Sequence, residues 1–275
     1  MKLFLLKIFL FTSIFIALTW ILYPLFCHII PSSRKTVFLS IVKSGIKKKV
    51  KKLILGDSCA KQLYDNTTFN GPVYSLACNQ AISMAGQYIL LNNFIKANFP
   101  DLPEEVCIIM DFNSFSNNLD QPYTFNYFLK PFYTKKNYHY FSANTIKIIQ
   151  GIPYYSLSQW PLVSISLWCP DYKQEFAGST HQFFSDVTRT YLFRIIRLCG
   201  RYGIRFKILP SIMPVSKKEN FIIFSQSINK ELVNLPVSLF DNYVKSGAFM
   251  PDNCFFDGIH LTQPFIPNDY YHLSE

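Results

Sequence analysis

The chain lacks the cysteine and glycine patterns that mark metal, disulfide-rich or phosphate-binding proteins. Its seven cysteines form no C-x-x-C pair and show no spacing typical of metal ligands, which argues against a zinc site. An odd number of cysteines also argues against a full disulfide framework. A glycine-rich phosphate loop and internal repeats are absent as well. The sequence therefore predicts chemistry that uses neither a metal nor another cofactor.

Acidic residues are scarce, with 17 Asp and Glu against 27 Lys and Arg, and the formal net charge is +10. Such a charge raises the question of nucleic-acid binding. However, many of the basic residues cluster close to the N-terminus, and no recognised nucleic-acid-binding motif is present. We therefore expect no nucleic-acid partner.

Charged residues are missing from residues 8–31, a stretch long enough in helical rise to cross the hydrocarbon of a bilayer. Residues 1–31 are thus predicted to be a short basic head and a transmembrane signal-anchor. No cleavage site of the Ala-x-Ala type follows, so we expect the segment to remain attached rather than to be removed as a signal peptide. Residues 32–50 are interpreted as a basic stalk between this anchor and the main domain.

The orientation of the anchor is argued from two opposing observations. The basic residues that follow the apolar stretch outnumber Lys2 and Lys7, which by the positive-inside rule would keep the main domain in the cytoplasm. The very short head is instead typical of segments that carry the following domain across the membrane, and we expect export to the periplasm or cell surface. The lysine cluster at 43–52 is either a solvated, membrane-proximal stalk or a site of attraction to anionic lipids, worth about 1 kcal/mol per charge.

Residues 51–275 are predicted to form one α/β domain. Five short apolar runs alternate with helical patterns, which predicts a parallel sheet covered by helices on both faces: a three-layer α/β/α, flavodoxin-like architecture. Residues 117–180, between the third and fourth strands, are an irregular insertion rich in aromatic residues, which line a substrate groove or form a small satellite core. The predicted strands are 51–55, 73–77, 106–110, 205–209 and 237–241.

Polar residues follow each predicted strand directly. In parallel α/β sheets, ligands bind outside the carboxyl ends of the strands, so these residues are expected to meet at one edge. They are Ser58 after the first strand, Asn79 after the second, Asn113 after the third, Ser211 after the fourth, and Asp257 with His260 after the fifth.

The sequence Gly56-Asp57-Ser58 has the composition of a sharp strand-to-helix turn that exposes a nucleophile. Gly56 supplies backbone freedom, and the N–H of Ser58 at a helix N-terminus would stabilise an oxyanion. A serine needs a base, and His260 is the natural candidate, with Asp257 three residues earlier to orient its imidazole. The structural alternative for Asp257 and His260 is a turn closed by local hydrogen bonds.

Together, Gly56-Asp57-Ser58 behind the first strand and Asp257-x-x-His260 near the C-terminus resemble the SGNH (GDSL-type) hydrolase superfamily. An anchor followed by one such domain is similar to members that acylate or deacylate cell-envelope polymers. The resemblance implies that Ser58 is the nucleophile, His260 the base and Asp257 its orienting carboxylate. Where the family usually has Gly-x-Asn-Asp, this chain has Asp111-Phe112-Asn113 behind Met110. Asn113 and Asn79 are then candidate oxyanion donors beside the Ser58 N–H.

The expected function is that of a membrane-anchored serine esterase or O-acyltransferase. It would act on an acylated, for example acetylated, cell-envelope glycan or another ester through an acyl-serine intermediate, with a membrane-bound acyl-transfer partner. The choice between hydrolysis and transfer depends on how the site admits water and the acceptor. The alternative, motivated by the altered asparagine block, is a catalytically inactive SGNH-like module that binds a glycan or a partner in an envelope assembly.

Overall fold

A computed structural model describes residues 1–29, 33–64, 72–78, 82–120, 125, 129–152, 155–158, 182–232, 236 and 238–263. An apolar helix occupies the N-terminus, as predicted, and its part Lys2–Leu22 is long and apolar enough to cross a membrane. The helix fits either a membrane anchor or a signal sequence. The helices are α1 (Lys2–Ile29), α2 (Ser33–Ser44), α3 (Ser58–Leu63), α4 (Met84–Asn98), α5 (Ala143–Gln150), α6 (Tyr155–Ser158), α7 (Asp186–Arg201), α8 (Lys218–Glu231) and α9 (Ser238–Lys245).

The centre of the domain is a four-stranded parallel sheet in the order β2-β1-β3-β4. All six residues of β3 are buried, because this strand lies inside the sheet and helices cover both of its faces. The structure thus confirms a parallel α/β fold and four of the five predicted strands. These strands are β1 (Lys52–Gly56), β2 (Val73–Ser75), β3 (Glu105–Met110) and β4 (Arg205–Pro210).

The predicted fifth strand is wrong. Residue 237 lies outside the described residues, and 238–241 form the first half of α9. Phe240 and Tyr243 are both buried there, and their spacing of three fits one face of a helix. The apolar run in this segment is so short that its residue spacing fits a strand as well as a helix. The helix forms because it packs against β4. A small parallel pair, β5 (Met213–Pro214) with β6 (Phe249–Met250), lies outside the main sheet.

Serine caps begin the two long helices that pack against each other, α4 and α7. Ser83 accepts a hydrogen bond from the Gly86 N–H, and Ser185 accepts one from the Thr188 N–H at 3.0 Å. Serine is among the residues preferred at this position, because its hydroxyl oxygen accepts a hydrogen bond that the helix itself leaves unmade. Gly203, past the end of α7, has φ +66°, the left-handed conformation that commonly ends a helix.

Several of the described aromatic residues of the insertion contribute to the core of the domain. Phe125 and Phe132 are fully buried, and Phe141 is nearly so. All three belong to the same apolar cluster as the residues between the sheet and α4. In the segment interpreted as a stalk, α2 packs against α4 and buries Val37.

Candidate functional site

A sharp turn joins β1 to α3, and its geometry requires glycine at position 56. Gly56 has φ +147°, which side-chain-bearing residues rarely adopt. A Cβ on Gly56 would also lie 2.3 Å from the Ile109 carbonyl oxygen and 2.4 Å from the Ala60 Cβ. Close contact of the turn with β3 and α3 thus places Ser58 at the first position of the helix.

Asp57 holds this turn in place and is buried. Its Oδ1 accepts hydrogen bonds from the N–H groups of Cys59 at 3.0 Å and Ala60 at 3.5 Å, so it caps α3. Its Oδ2 accepts a bond from the Ser114 hydroxyl at 3.4 Å, which ties the turn to the segment after β3. Burial, together with the charge of Asp111, raises the pKa of Asp57 to about 6. Its contacts are those of a structural cap.

The C-terminal part of the chain reaches α3 through a short closed loop. An isolated antiparallel bridge joins Phe255 to Leu261, and the Phe256 N–H donates to the His260 carbonyl at 3.0 Å. The side-chain amide of Gln62 then holds Leu261 through two hydrogen bonds, one to its carbonyl oxygen and one from its N–H, both 3.2 Å long. Gln62 lies one helical turn after Ser58, so this clamp places the loop beside the serine.

The structure brings Ser58, His260 and Asp257 together in one hydrogen-bonded chain. The His260 Nε2 lies 2.7 Å from the Ser58 Oγ, and its Nδ1 lies 2.6 Å from Asp257 Oδ2. A carboxylate accepts hydrogen bonds, so Nδ1 carries the proton and Nε2 is free to accept the serine proton. Two side chains separated by 202 positions in the sequence thus have the geometry of a nucleophile and its base.

Asp257 is fixed by more than the imidazole. Its Oδ1 accepts hydrogen bonds from the N–H groups of Ile259 at 3.0 Å and His260 at 2.7 Å. Burial opposes ionisation, but these bonds and the contact with the imidazole outweigh it and lower the pKa of Asp257. The carboxylate is thereby kept charged, as stabilisation of an imidazolium requires.

The candidate oxyanion donors differ in their surroundings. The Ser58 N–H has no hydrogen-bond partner among the described residues, so it is available to an oxyanion. The Asn113 side-chain amide donates one hydrogen to Asp111 Oδ1 at 2.8 Å, and its second hydrogen remains available. Asn79 lies outside the described residues. Ser211 is buried, and within the described part of the chain its hydroxyl has no partner and no link to the hydrogen-bonded chain.

Lys217, which the sequence did not single out, supports Asn113 indirectly. Its Nζ lies 3.3 Å from Asp111 Oδ2, while Asp111 Oδ1 also accepts from the Asn113 backbone N–H at 3.0 Å. Lys217 follows β5 and is 106 positions from Asp111, so no local pattern joins them. For Gln62, the i,i+4 spacing from Ser58 was the signal available in the sequence.

Cys59, adjacent to Ser58, is a buried thiol rather than a second nucleophile. Burial raises the pKa of this thiol well above its ordinary value, which keeps it protonated. Its Sγ lies 3.8 Å from the Ile259 carbonyl oxygen. In the described ranges, no cluster of three or more His, Cys, Asp or Glu residues has a geometry that could hold a metal ion. A cavity of about 850 Å³ runs along α7, and none of Ser58, Asp257 and His260 lines it.

Comparisons of the chain with protein-family models, with curated proteins and with solved structures give no match. The structure itself shows a parallel α/β domain with a four-stranded sheet, preceded by an apolar N-terminal helix. Functional conclusions therefore depend on the chemistry of the site.

Proposed function

We propose that this protein is a serine-dependent esterase or O-acyltransferase of the SGNH type, with Ser58 as nucleophile, His260 as base and Asp257 as its orienting carboxylate. One observation carries the proposal: the hydrogen-bonded chain with 2.7 Å between the Ser58 Oγ and His260 Nε2 and 2.6 Å between His260 Nδ1 and Asp257 Oδ2. Such a chain activates a hydroxyl for acyl transfer.

The reaction proceeds in two halves. The Ser58 Oγ attacks the ester carbonyl carbon while its proton passes to His260 Nε2, and Asp257 stabilises the resulting imidazolium. The oxyanion of the tetrahedral intermediate accepts hydrogen bonds from the Ser58 N–H and the Asn113 side-chain amide. The C–O bond to the alcohol then breaks, and the alcohol leaves with the proton from Nε2. Water or a sugar hydroxyl next gives a proton to His260 Nε2 and attacks the acyl-serine carbonyl carbon. The bond from this carbon to Ser58 Oγ then breaks, and the proton passes from Nε2 to Oγ.

The substrate we propose is an acylated cell-envelope glycan, with α1 as an uncleaved anchor and the domain outside the cytoplasm. The site is open enough for a polymer, since the side chains of His260 and Asp257 keep 25% and 40% of their surface exposed. A membrane-bound acyl-transfer partner would supply the acyl group if the enzyme is a transferase.

A fluorophosphonate probe tests the proposed nucleophile. The full-length protein in detergent should be labelled, and Ser58→Ala should abolish labelling. Ser225→Ala, which removes an exposed hydroxyl on α8, is the control and should keep it. Labelling that persists in Ser58→Ala would contradict the assignment of Ser58 as the nucleophile, and an unlabelled folded wild type would favour the glycan- or partner-binding module.

The location is tested separately with a reporter fused to the C-terminus. Alkaline phosphatase, which needs an oxidising compartment, should be active in the fusion, and a cytoplasmic fluorescent reporter should be dark. A reversed pattern would contradict export without bearing on the chemistry of Ser58.

A further inference from the structure

Helix α2, which follows the apolar helix, ends at the amino ends of the strands. Asn98, the last residue of α4, donates a hydrogen bond from its side chain to the Ile46 carbonyl at 3.2 Å. The Lys51 carbonyl, just before β1, accepts bonds from Glu104 and Glu105 at the start of β3. The segment after α2 thus lies at the amino edge of the sheet.

The beginning of α2 lies at the opposite edge. The Ser40 hydroxyl lies 3.5 Å from the Ala77 carbonyl oxygen, and Ala77 is two residues past the end of β2. Because Ser75 pairs with Ile54, Ala77 is level with Gly56, at the turn that leads to Ser58. Ser33 is seven residues before Ser40, about 10 Å further along the helix axis. Helix α2 therefore begins beyond the carboxyl edge of the sheet.

The apolar helix ends on this same side of the domain. Helix α1 ends at Ile29, four positions before Ser33, and four residues span at most about 14 Å. When α1 continues away from the sheet, a membrane that holds Lys2–Leu22 lies nearer to the carboxyl edge, with Ser58 and His260, than to the amino edge.

Three exposed apolar side chains lie at this carboxyl edge. Phe256 is 67% exposed although its ring stacks on the His260 imidazole, with 5.4 Å between ring centroids. Ile259, in the same loop, is 42% exposed, and Val215, two residues before Lys217, is 51% exposed. Aromatic and aliphatic side chains of this kind favour the interface of a bilayer over water.

We infer that the Ser58 site faces the bilayer surface, that Phe256 and Ile259 enter its head-group region, and that the ester attacked by Ser58 is held in the bilayer, which narrows the proposed acylated glycan to an amphiphilic, lipid-linked one. The substrate class rests on the proposed function, whereas the lipid contact does not. In this arrangement the lysines at 47–51 lie at the amino edge, away from the membrane. Their charges are then solvated by water rather than bound to anionic lipid.

The lipid contact is tested by photo-cross-linking in the Ser58→Ala background, so that catalysis plays no part. Phe256 and, in a matched control, Phe99 are each replaced by p-benzoylphenylalanine. Phe99 is 64% exposed and follows α4 at the amino edge. In vesicles of phosphatidylethanolamine and phosphatidylglycerol, we expect about tenfold more lipid adduct from position 256 than from position 99. Equal adducts, or more from position 99, would overturn the proposed orientation.

The substrate class is tested with two esters, water-soluble p-nitrophenyl acetate and a long-chain fatty acyl ester of umbelliferone in the same vesicles. Ile259→Ser should lower the ratio of turnover on the bilayer ester to turnover on the soluble ester by about tenfold. Ile46→Ser, 48% exposed at the amino edge, should leave this ratio as in the wild type. An unchanged ratio in Ile259→Ser would refute the bilayer substrate. Failure of the wild type on both esters would count against the proposed function, while the cross-linking result would still decide the orientation.

Discussion

A buried acidic residue lies at each end of β3: Glu105 at the amino edge and Asp111 directly after the strand at the carboxyl edge. The charges around these two residues are of opposite sign. At the amino edge, the Glu105 carboxylate lies 2.9 Å from Lys207 Nζ, 3.2 Å from Lys52 Nζ and 4.0 Å from Arg205 Nε. At the carboxyl edge, Lys217 is the one ion-pair partner of Asp111 among the described residues, and the charge of Asp111 helps to raise the pKa of Asp57. Cations therefore outnumber the carboxylate at one edge, and carboxylates outnumber the lysine at the other.

The protonation of the carboxylates follows this difference. Burial of Glu105 opposes ionisation, but hydrogen bonds from Lys207 and Lys52 outweigh it and lower the pKa of Glu105. The pKa of Asp57 is instead raised to about 6. The ion pairs of Glu105 at the amino edge stabilise the fold, whereas an excess of carboxylates is tolerated at the edge where an imidazolium is proposed to form. Perturbed carboxylates commonly cluster at functional sites.

The largest effect is expected from Asp257→Asn at the carboxyl edge. The amide preserves the shape of the loop but does not hold His260 Nδ1 in its protonated form, so esterase turnover should fall about 10³- to 10⁴-fold. Turnover of a soluble ester in detergent measures the loss of activity, and thermal unfolding in the same detergent shows whether the loop and the fold are preserved. A variant that keeps a tenth or more of wild-type turnover would show that the carboxylate is not part of the mechanism.

Glycines at the two edges should respond unequally to alanine. Gly56→Ala meets the Ile109 carbonyl at 2.3 Å and should lower the free energy of unfolding by more than about 3 kcal/mol. Gly203 has φ +66°, but no atom lies within 4 Å of a Cβ added there. Gly203→Ala should therefore lower the free energy of unfolding by only about 1 kcal/mol. Denaturant unfolding of both variants in the same detergent tests this order. Equal losses would mean that backbone conformation rather than contact with β3 demands glycine at position 56.

Glu105→Gln is the counterpart of Asp257→Asn at the amino edge. The change removes the carboxylate that lies between Lys52 and Lys207, and should lower the free energy of unfolding by about 3 kcal/mol. At a temperature where the variant is folded, turnover per folded molecule should equal that of the wild type. Loss of turnover without loss of stability would remove the distinction between a structural and a catalytic edge.

Asp57→Asn should change how stability depends on pH. Because the folded protein binds the Asp57 proton more tightly than the unfolded chain, the wild type loses stability as the pH rises from about 4 to about 6. Asparagine caps a helix as well as aspartate does but does not titrate. The variant should therefore gain about 2 kcal/mol relative to the wild type between pH 4 and pH 7. Unfolding at four pH values tests this, and a difference independent of pH would contradict it.

Local sequence patterns were sufficient to predict the elements that have a clear apolar pattern or a recognisable capping residue. The strands at 52–56 and 105–110, the cap at Ser185 and the apolar N-terminal helix follow from such patterns. The segment 237–241 was misassigned because its few apolar residues fit a strand as well as a helix. Lys217 was missed because its partner Asp111 is distant in the sequence, and ion pairs of this kind leave no periodic signal.

By itself, the sequence determined the parallel α/β character of the domain, the sharp turn at Gly56 and the types of residue needed for serine chemistry. These follow from apolar periodicity and from backbone freedom, which are local properties. Only the tertiary structure decided that the His260 imidazole contacts the Ser58 hydroxyl and that α2 begins at the same edge of the sheet. Both depend on contacts between distant segments, namely the Gln62 clamp on Leu261 and the packing of α2 on α4, which arise only when the core has formed.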